Sequence, residues 1–219
     1  MGMKIAIATN KNFYKLTLPI IIQSLIDSGI EKKDIYVFNG GYDEESVENI
    51  DGITYYFLNY NSYEYTPLIC ICENKIESDY WFLLHDTCKV GIKFKELSHK
   101  ILINNYDKIA LKSCPSMSIG AYKYNYLISL TDTLIKIKNM DYSEESMQKW
   151  KQWGVPNEDF ILWKTEPKPY LYGNDGFNVI DNENWYNTGV ERRTEYFPSL
   201  DLYKNKSNWT FKSTMCLDL

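Results

Sequence analysis

Residues 80–87 read Tyr-Trp-Phe-Leu-Leu-His-Asp-Thr, which is five apolar residues followed by three polar ones. A continuous apolar run of this length indicates a central β-strand that is covered on both faces. Further apolar runs predict strands at 4–9, 35–38, 53–58 and 108–111. Apolar residues at helical spacing predict helices at 16–28, 66–76, 94–102 and 141–153. This order predicts an α/β fold with a mixed, mostly parallel sheet flanked by helices.

The length and charge of the chain predict one soluble domain that does not bind nucleic acid. A single α/β domain can hold all 219 residues. No stretch approaches the roughly 18 consecutive apolar residues that span a bilayer, and Lys4 interrupts the first apolar run. We therefore expect no membrane span and a cytoplasmic location. The formal net charge of -5 argues against a nucleic-acid binder, which needs a basic face to release counterions from phosphate.

The five cysteines are predicted to be reduced and structural. Their number is odd, and four of them lie in or beside apolar runs, where free cysteine behaves as a small hydrophobic residue. Cys70 and Cys72 are separated by one residue, whereas zinc and redox motifs place two residues between their cysteines. We therefore expect no metal-thiolate site.

Asp86 is the first candidate functional residue, because it comes directly after the buried strand. In a parallel sheet, ligands bind at the carboxyl ends of the strands. A carboxylate at this position can hold a divalent cation against a diphosphate. The alternative is that Asp86 caps a turn or the helix predicted from Phe94.

The residues around Asp86 resemble the motif of GT-A glycosyltransferases, whose central strand ends in Asp-x-Asp. Alignment with Leu84-His85-Asp86 puts Asp86 on the second, metal-holding Asp of that motif and Leu84 on the first. The resemblance implies that Asp86 binds Mn²⁺ or Mg²⁺. It leaves His85 as a replacement ligand or as a hydrogen-bond donor to phosphate. The motif is degenerate, because leucine cannot bind a metal or a ribose.

A second stretch, residues 153–163, looks like the Glu-Asp pair that opens a late helix in inverting GT-A enzymes. In those enzymes one carboxylate takes the proton from the acceptor hydroxyl. The resemblance implies that Asp159 is this base, with Glu158 as the second choice. The alternative is purely structural, because Asn157 followed by two acids is also favoured at a helix N-terminus.

The ends of the first two predicted strands are candidates for nucleotide binding. By resemblance, Thr9 and Asn10 lie in the loop that grips the nucleobase, and Asn39 lies at the family's other base- and ribose-binding position. Gly40 follows Asn39 and permits close approach of a ligand. Ordinary turn chemistry is the alternative for the threonine and the asparagines, since these residues often end strands.

A basic cluster near the C-terminus is the last candidate. Many GT-A enzymes place a C-terminal histidine on the metal, but neither histidine of this chain lies in that region. We therefore predict that Arg192, Arg193 or Lys204 stabilises the leaving diphosphate, as a fixed cation would. The alternative is a solvated charged surface.

The resemblance as a whole implies one catalytic domain over residues 1–219, with a nucleotide-binding half at 1–105 and an acceptor-binding half with a C-terminal lid at 106–219. It implies hexosyl transfer from a nucleotide-diphosphate sugar, based on UDP, to an unidentified carbohydrate or glycoconjugate acceptor. Two other functions stay open: a non-catalytic carbohydrate-binding or scaffold domain, and a sugar nucleotidyltransferase. The second usually has a glycine-rich loop with a lysine after the first strand, and residues 10–12 have the lysine without the glycines.

Overall fold

A computed structural model of the chain describes residues 2–112, 118–138, 170–172, 178–181 and 192–207. These residues form a large eight-stranded sheet, a small four-stranded sheet and five α-helices. The strands of the large sheet, in order from one edge to the other, are β3 (Ser46–Ile50), β4 (Ile53–Leu58), β2 (Ile35–Gly40), β1 (Met3–Asn10), β5 (Tyr80–His85), β8 (Gly120–Lys123), β7 (Lys108–Lys112) and β9 (Tyr170–Tyr172).

The large sheet is mixed and mostly parallel. Strand β3 runs antiparallel to β4, and β8 runs antiparallel to both of its neighbours. The other neighbouring strands in this sheet are parallel. The predicted α/β class, with a mixed and mostly parallel sheet flanked by helices, is confirmed at this level.

The described helices are α1 (Tyr14–Asp27), α2 (Thr66–Glu73), α3 (Phe94–Leu102), α4 (Tyr124–Ser129) and α5 (Thr131–Lys138). One core contains Phe82 and Leu84 of β5 together with residues of α1 and α3. A second core contains Trp81 and Leu83 together with residues of α2, α4 and α5. Since all six residues of β5 are buried, the predicted central strand with two covered faces is confirmed. None of these five helices is long and apolar enough to cross a membrane.

The second sheet is small and antiparallel, and it contains the strand that follows β5 in the chain. Its strands, in order, are β10 (Asn178–Asp181), β11 (Arg192–Phe197), β12 (Leu202–Ser207) and β6 (Cys88–Val90). Two residues, Asp86 and Thr87, separate β5 from β6, so the chain passes directly from one sheet to the other. The backbone N–H of Asn205 also donates to the carbonyl of Thr87 at 2.9 Å. The small sheet therefore brings C-terminal strands next to the carboxyl end of β5.

Several predicted helix limits differ from the structure. Helix α1 begins at Tyr14, two residues before the predicted start, and α2 ends at Glu73 instead of at 76. Helix α2 begins at Thr66 as predicted, and the Oγ1 of Thr66 accepts from the N–H of Ser62 at 2.8 Å. The helix predicted at 141–153 lies outside the described residues.

The prediction that cysteines act as structural residues is confirmed for the described ones. Cys70, Cys72 and Cys88 are free thiols in the buried cores. Burial raises the pKa of the Cys70 thiol to about 12 and that of the Cys72 thiol to about 11. Because the thiolate is the reactive form, these groups stay protonated and inert near neutral pH. Cys114 and Cys216 lie outside the described residues.

Gly120 provides a test of the packing between β8 and β7. A Cβ at this position would lie 2.2 Å from the carbonyl oxygen of Ile109. Gly120→Ala should therefore lower the free energy of unfolding by roughly 1–3 kcal/mol, as overpacking does. Gly2→Ala is the control, because its new Cβ would come no closer than 3.8 Å to its nearest neighbour. Equal urea midpoints for the two variants would contradict this packing.

Candidate functional site

The direction in which the chain winds across the large sheet reverses beside β1. This strand pairs with β2 on one side and with β5 on the other, in parallel on both sides. Open α/β sheets bind ligands at the carboxyl ends of their strands, in the crevice at such a reversal. Thr9 is level with Asn39 in the sheet register, and Ala8 is level with His85. The next residue after His85 is Asp86. Asn39, Thr9 and Asp86 therefore form a row of polar residues at the carboxyl edge of the sheet, and we call it the polar row.

The Asp86 carboxylate is held by two buried hydroxyl groups. Its Oδ2 accepts a hydrogen bond from Thr9 Oγ1 at 2.7 Å and another from Thr17 Oγ1 at 2.8 Å. The Thr17 hydroxyl has a single hydrogen, and its other acceptor, the Phe13 carbonyl, is 3.1 Å away. The nearer, charged acceptor forms the stronger bond. Within the described residues, Asp86 Oδ1 makes no hydrogen bond.

The helix-cap interpretation of Asp86 is wrong. Asp86 is followed by β6, and the residue that precedes α3 is Lys93, which makes no side-chain cap. The Asp86 carboxylate instead connects the ends of β1 and β5 to α1, through its hydrogen bonds with Thr9 and Thr17. Thr17 was not predicted as part of this site. The available signal was its position, since it is a polar residue on the same helical face as the buried Ile21.

Asn39 carries a buried hydrogen-bond acceptor without a partner in the described structure. The residue is 0% exposed, and its Nδ2 donates to the Tyr42 hydroxyl at 2.9 Å, while its Oδ1 accepts from no group. Burial, followed by a hydrogen bond with Tyr14, raises the pKa of Tyr42 to about 12. An unsatisfied buried acceptor costs about 1–3 kcal/mol. A ligand that donates a hydrogen bond to Asn39 Oδ1 would recover part of this cost.

The structure gives the neighbouring candidates local structural roles. Asn10 Oδ1 accepts from the N–H of Asn12 at 3.0 Å, which is the turn chemistry considered as its alternative. A Cβ on Gly40 would lie 2.6 Å from the carbonyl oxygen of Tyr60. Gly40 is therefore required by the packing of the segment after β4. Nucleotide binding by Asn10 and Gly40 stays a prediction.

Leu84 and His85 are the last two residues of β5 and come directly before Asp86. Leu84 is 0% exposed and belongs to the core on the α1 side. His85 is buried too. Because successive side chains of a strand point to opposite faces, His85 lies on the face of β5 opposite to Leu84. A phosphate or metal contact by His85 stays a prediction.

The basic cluster is not a solvated surface where the structure describes it. Lys204 is 2% exposed and its Nζ donates to the Thr87 hydroxyl. Arg193 Nη2 lies 2.5 Å from Oε1 of the fully buried Glu195, and Lys206 Nζ lies 3.2 Å from its Oε2. The surface interpretation is therefore wrong for Arg193 and Lys204. Arg192 is in β11, and its side chain is not among those described.

The two predicted catalytic acids, Glu158 and Asp159, lie outside the described residues. Their assignment as acceptor base therefore stays a prediction. The Mn²⁺ or Mg²⁺ site stays a prediction as well. Within the described ranges, no group of three His, Cys, Asp or Glu side chains is placed to hold a metal. Asp86 supplies one carboxylate with one oxygen already bonded, and this does not fit the oxygen-rich ligand set of these ions.

The bond between Thr17 and Asp86 is testable through stability. Thr17→Val keeps the shape of the side chain and removes the hydroxyl, so the free energy of unfolding should fall by about 1.5–3 kcal/mol, as for hydrogen bonds to charged groups. Thr133→Val, at an exposed position of α5, is the matched control. Chemical denaturation that gives the same loss for both variants would show that the bond contributes nothing.

No known family model matches the chain, and no curated protein matches it. Similar solved structures include S. aureus TarS residues 1–349, with 8% identity over 60% of this chain and 49% of that one, at a TM-score of 0.40. The same protein in complex with UDP has 10% identity over 68% of this chain and 54% of that one, at a TM-score of 0.41. This chain thus spans about half the length of those structures.

Proposed function

We propose that the chain is a glycosyltransferase that moves a hexosyl unit from a nucleotide-diphosphate sugar to a carbohydrate or glycoconjugate acceptor. The observation that carries the proposal is the polar row at the carboxyl edge of β2, β1 and β5. There Asn39 is level with Thr9, and the Thr9 hydroxyl donates a hydrogen bond to the Asp86 carboxylate. The row lies at the sheet reversal, where open α/β sheets bind nucleotides.

The unpartnered Asn39 Oδ1 supports a nucleoside as the ligand. This oxygen can only accept hydrogen bonds. Nucleobase N–H groups and ribose hydroxyls are donors that suit such a buried acceptor. The Tyr42 hydroxyl accepts a hydrogen bond from the Asn39 Nδ2 at 2.9 Å, and the Asn39 Oδ1 has no partner among the described residues. We propose uridine as the nucleoside, so that the donor is a UDP-sugar.

In the proposed reaction, the acceptor hydroxyl oxygen forms a bond to the anomeric carbon of the sugar. The bond from that carbon to the diphosphate oxygen breaks, and its electron pair leaves with the nucleoside diphosphate. Asp159 takes the acceptor proton, with Glu158 as the second choice for this role. Attack from the face opposite the leaving group gives inversion at the anomeric carbon.

Binding of UDP tests the proposed donor site. Asn39→Leu should weaken UDP binding about tenfold, because the variant removes the acceptor while keeping the buried volume. Isothermal titration calorimetry with UDP gives the two dissociation constants. Asn125→Leu is the control, because Asn125 is exposed at the start of α4 and lines a groove with Ser78, before the amino end of β5. Failure of the wild-type chain to bind UDP would refute the proposal, and equal affinities would refute the role of Asn39.

Turnover tests the acceptor base. Asp159→Asn should lower kcat by about 10²- to 10⁴-fold, the usual contribution of general base catalysis, and should leave UDP affinity unchanged. The assay measures UDP released from UDP-hexoses in the presence of an oligosaccharide panel. Glu158→Gln is the paired variant, and its loss should be smaller. Unchanged turnover in Asp159→Asn would discard the assignment.

A further inference from the structure

Three cationic side chains of the small sheet share one face with a single acid. In the sheet register, Arg193 is opposite Lys206, and Glu195 is opposite Lys204. Residues directly opposite on neighbouring strands project from the same face. The same register places Lys204 opposite Cys88 of β6. Lys204 and Lys206 therefore lie on β12, the strand that pairs with β6, and Arg193 lies on β11.

The described contacts of these cations are with Glu195 and with Thr87. Arg193 and Lys206 both lie within ion-pair distance of Glu195, at 2.5 and 3.2 Å. Lys204 donates to the hydroxyl of Thr87, the residue after Asp86. Since Lys204 is 2% exposed, its ammonium is held in one place and its charge is screened less than at the surface. The Lys204 ammonium is thus a fixed positive charge at the carboxyl end of β5.

The described residues around Asp86 do not form a comparable binding site for a metal ion. The position of the first motif acid is Leu84, which is fully buried in the core. Asp86 Oδ2 is already shared by two threonine hydroxyls. Mg²⁺ and Mn²⁺ prefer several oxygen ligands in near-octahedral geometry. The described carboxylate positions the start of α1 better than it holds a metal.

We propose that Lys204, and not a divalent cation held by Asp86, neutralises the diphosphate of the donor. This inference rests on the proposed function, since it concerns the leaving group of the same reaction. As the bond from the anomeric carbon to the diphosphate oxygen breaks, negative charge develops on that oxygen. The Lys204 ammonium stabilises this charge without giving up its proton, and the acceptor proton goes to the base. The step consumes no other reactant.

Calorimetry with UDP and with uridine, each in EDTA and in MnCl₂, tests the inference. The wild-type chain should bind UDP equally well in EDTA and in MnCl₂. Lys204→Met removes the charge but keeps most of the apolar stem, so it should weaken UDP binding about tenfold or more. Uridine lacks phosphates, and its affinity should be the same for both chains. Lys89→Met is the matched control, because Lys89 is exposed on the neighbouring strand β6, and its UDP affinity should equal that of the wild type.

The outcomes separate this inference from the proposed function. If wild-type binding of UDP is lost in EDTA and restored by MnCl₂, the metal has the role assigned to Lys204 and the inference fails. The inference also fails if Lys204→Met binds UDP as the wild type does. The comparison of wild-type UDP binding in EDTA with that in MnCl₂ needs no variant, so it tests the inference even if Lys204→Met does not fold. If the wild type binds neither UDP nor uridine, the proposed function fails together with the inference.

Discussion

The two hydrogen bonds that Asp86 Oδ2 accepts from Thr9 and Thr17 are the interaction on which the rest of the site depends. They join the end of β1, the first turns of α1 and the residue after β5. Hydrogen bonds to a carboxylate are roughly twice as strong as those between neutral groups. They fix where α1 starts over the sheet edge. The parallel pairing of β1 with β2 places Thr9 level with Asn39, whose Oδ1 has no partner among the described residues.

The small sheet contributes the opposite charge to the same edge. The whole chain has a net charge of -5, yet the described side chains of β11 and β12 include three buried or half-buried cations and one buried acid. A buried charge is costly unless a counter-charge or a ligand compensates it. Glu195 is a counter-charge for Arg193 and Lys206, and the diphosphate of the proposed donor would bring further negative charge to this sheet.

Five strands of the large sheet, β1, β2, β4, β5 and β7, were predictable because their signals are local, whereas β3, β8 and β9 were not predicted. The apolar run of β5 and the helical spacing of α1 and α3 each lie within a few consecutive residues. Strand β3 was missed because all five of its residues are exposed, which leaves no apolar pattern. The small sheet was missed for a different reason. It pairs Val90 with Leu202, and no local pattern reports contacts between residues so far apart in the chain.

The placement of Asp86, Thr9 and Asn39 at the ends of strands was predictable, but their contacts were not. Asp86 was predicted because it follows β5, and Thr9 and Asn39 were predicted because they end β1 and β2. The partner of the acid, Thr17, and the buried setting of Lys204 depend on tertiary packing, which residue type alone does not reveal.

The most direct test of the account is a backbone amide NMR titration of the chain with UDP. If the carboxyl edge binds the nucleotide, the largest chemical-shift changes should be at Thr9, Asn39 and Asp86. Ser78 and Asn125, which line the groove beside the amino end of β5, should shift little. Changes confined to that groove, or absent throughout, would contradict the account.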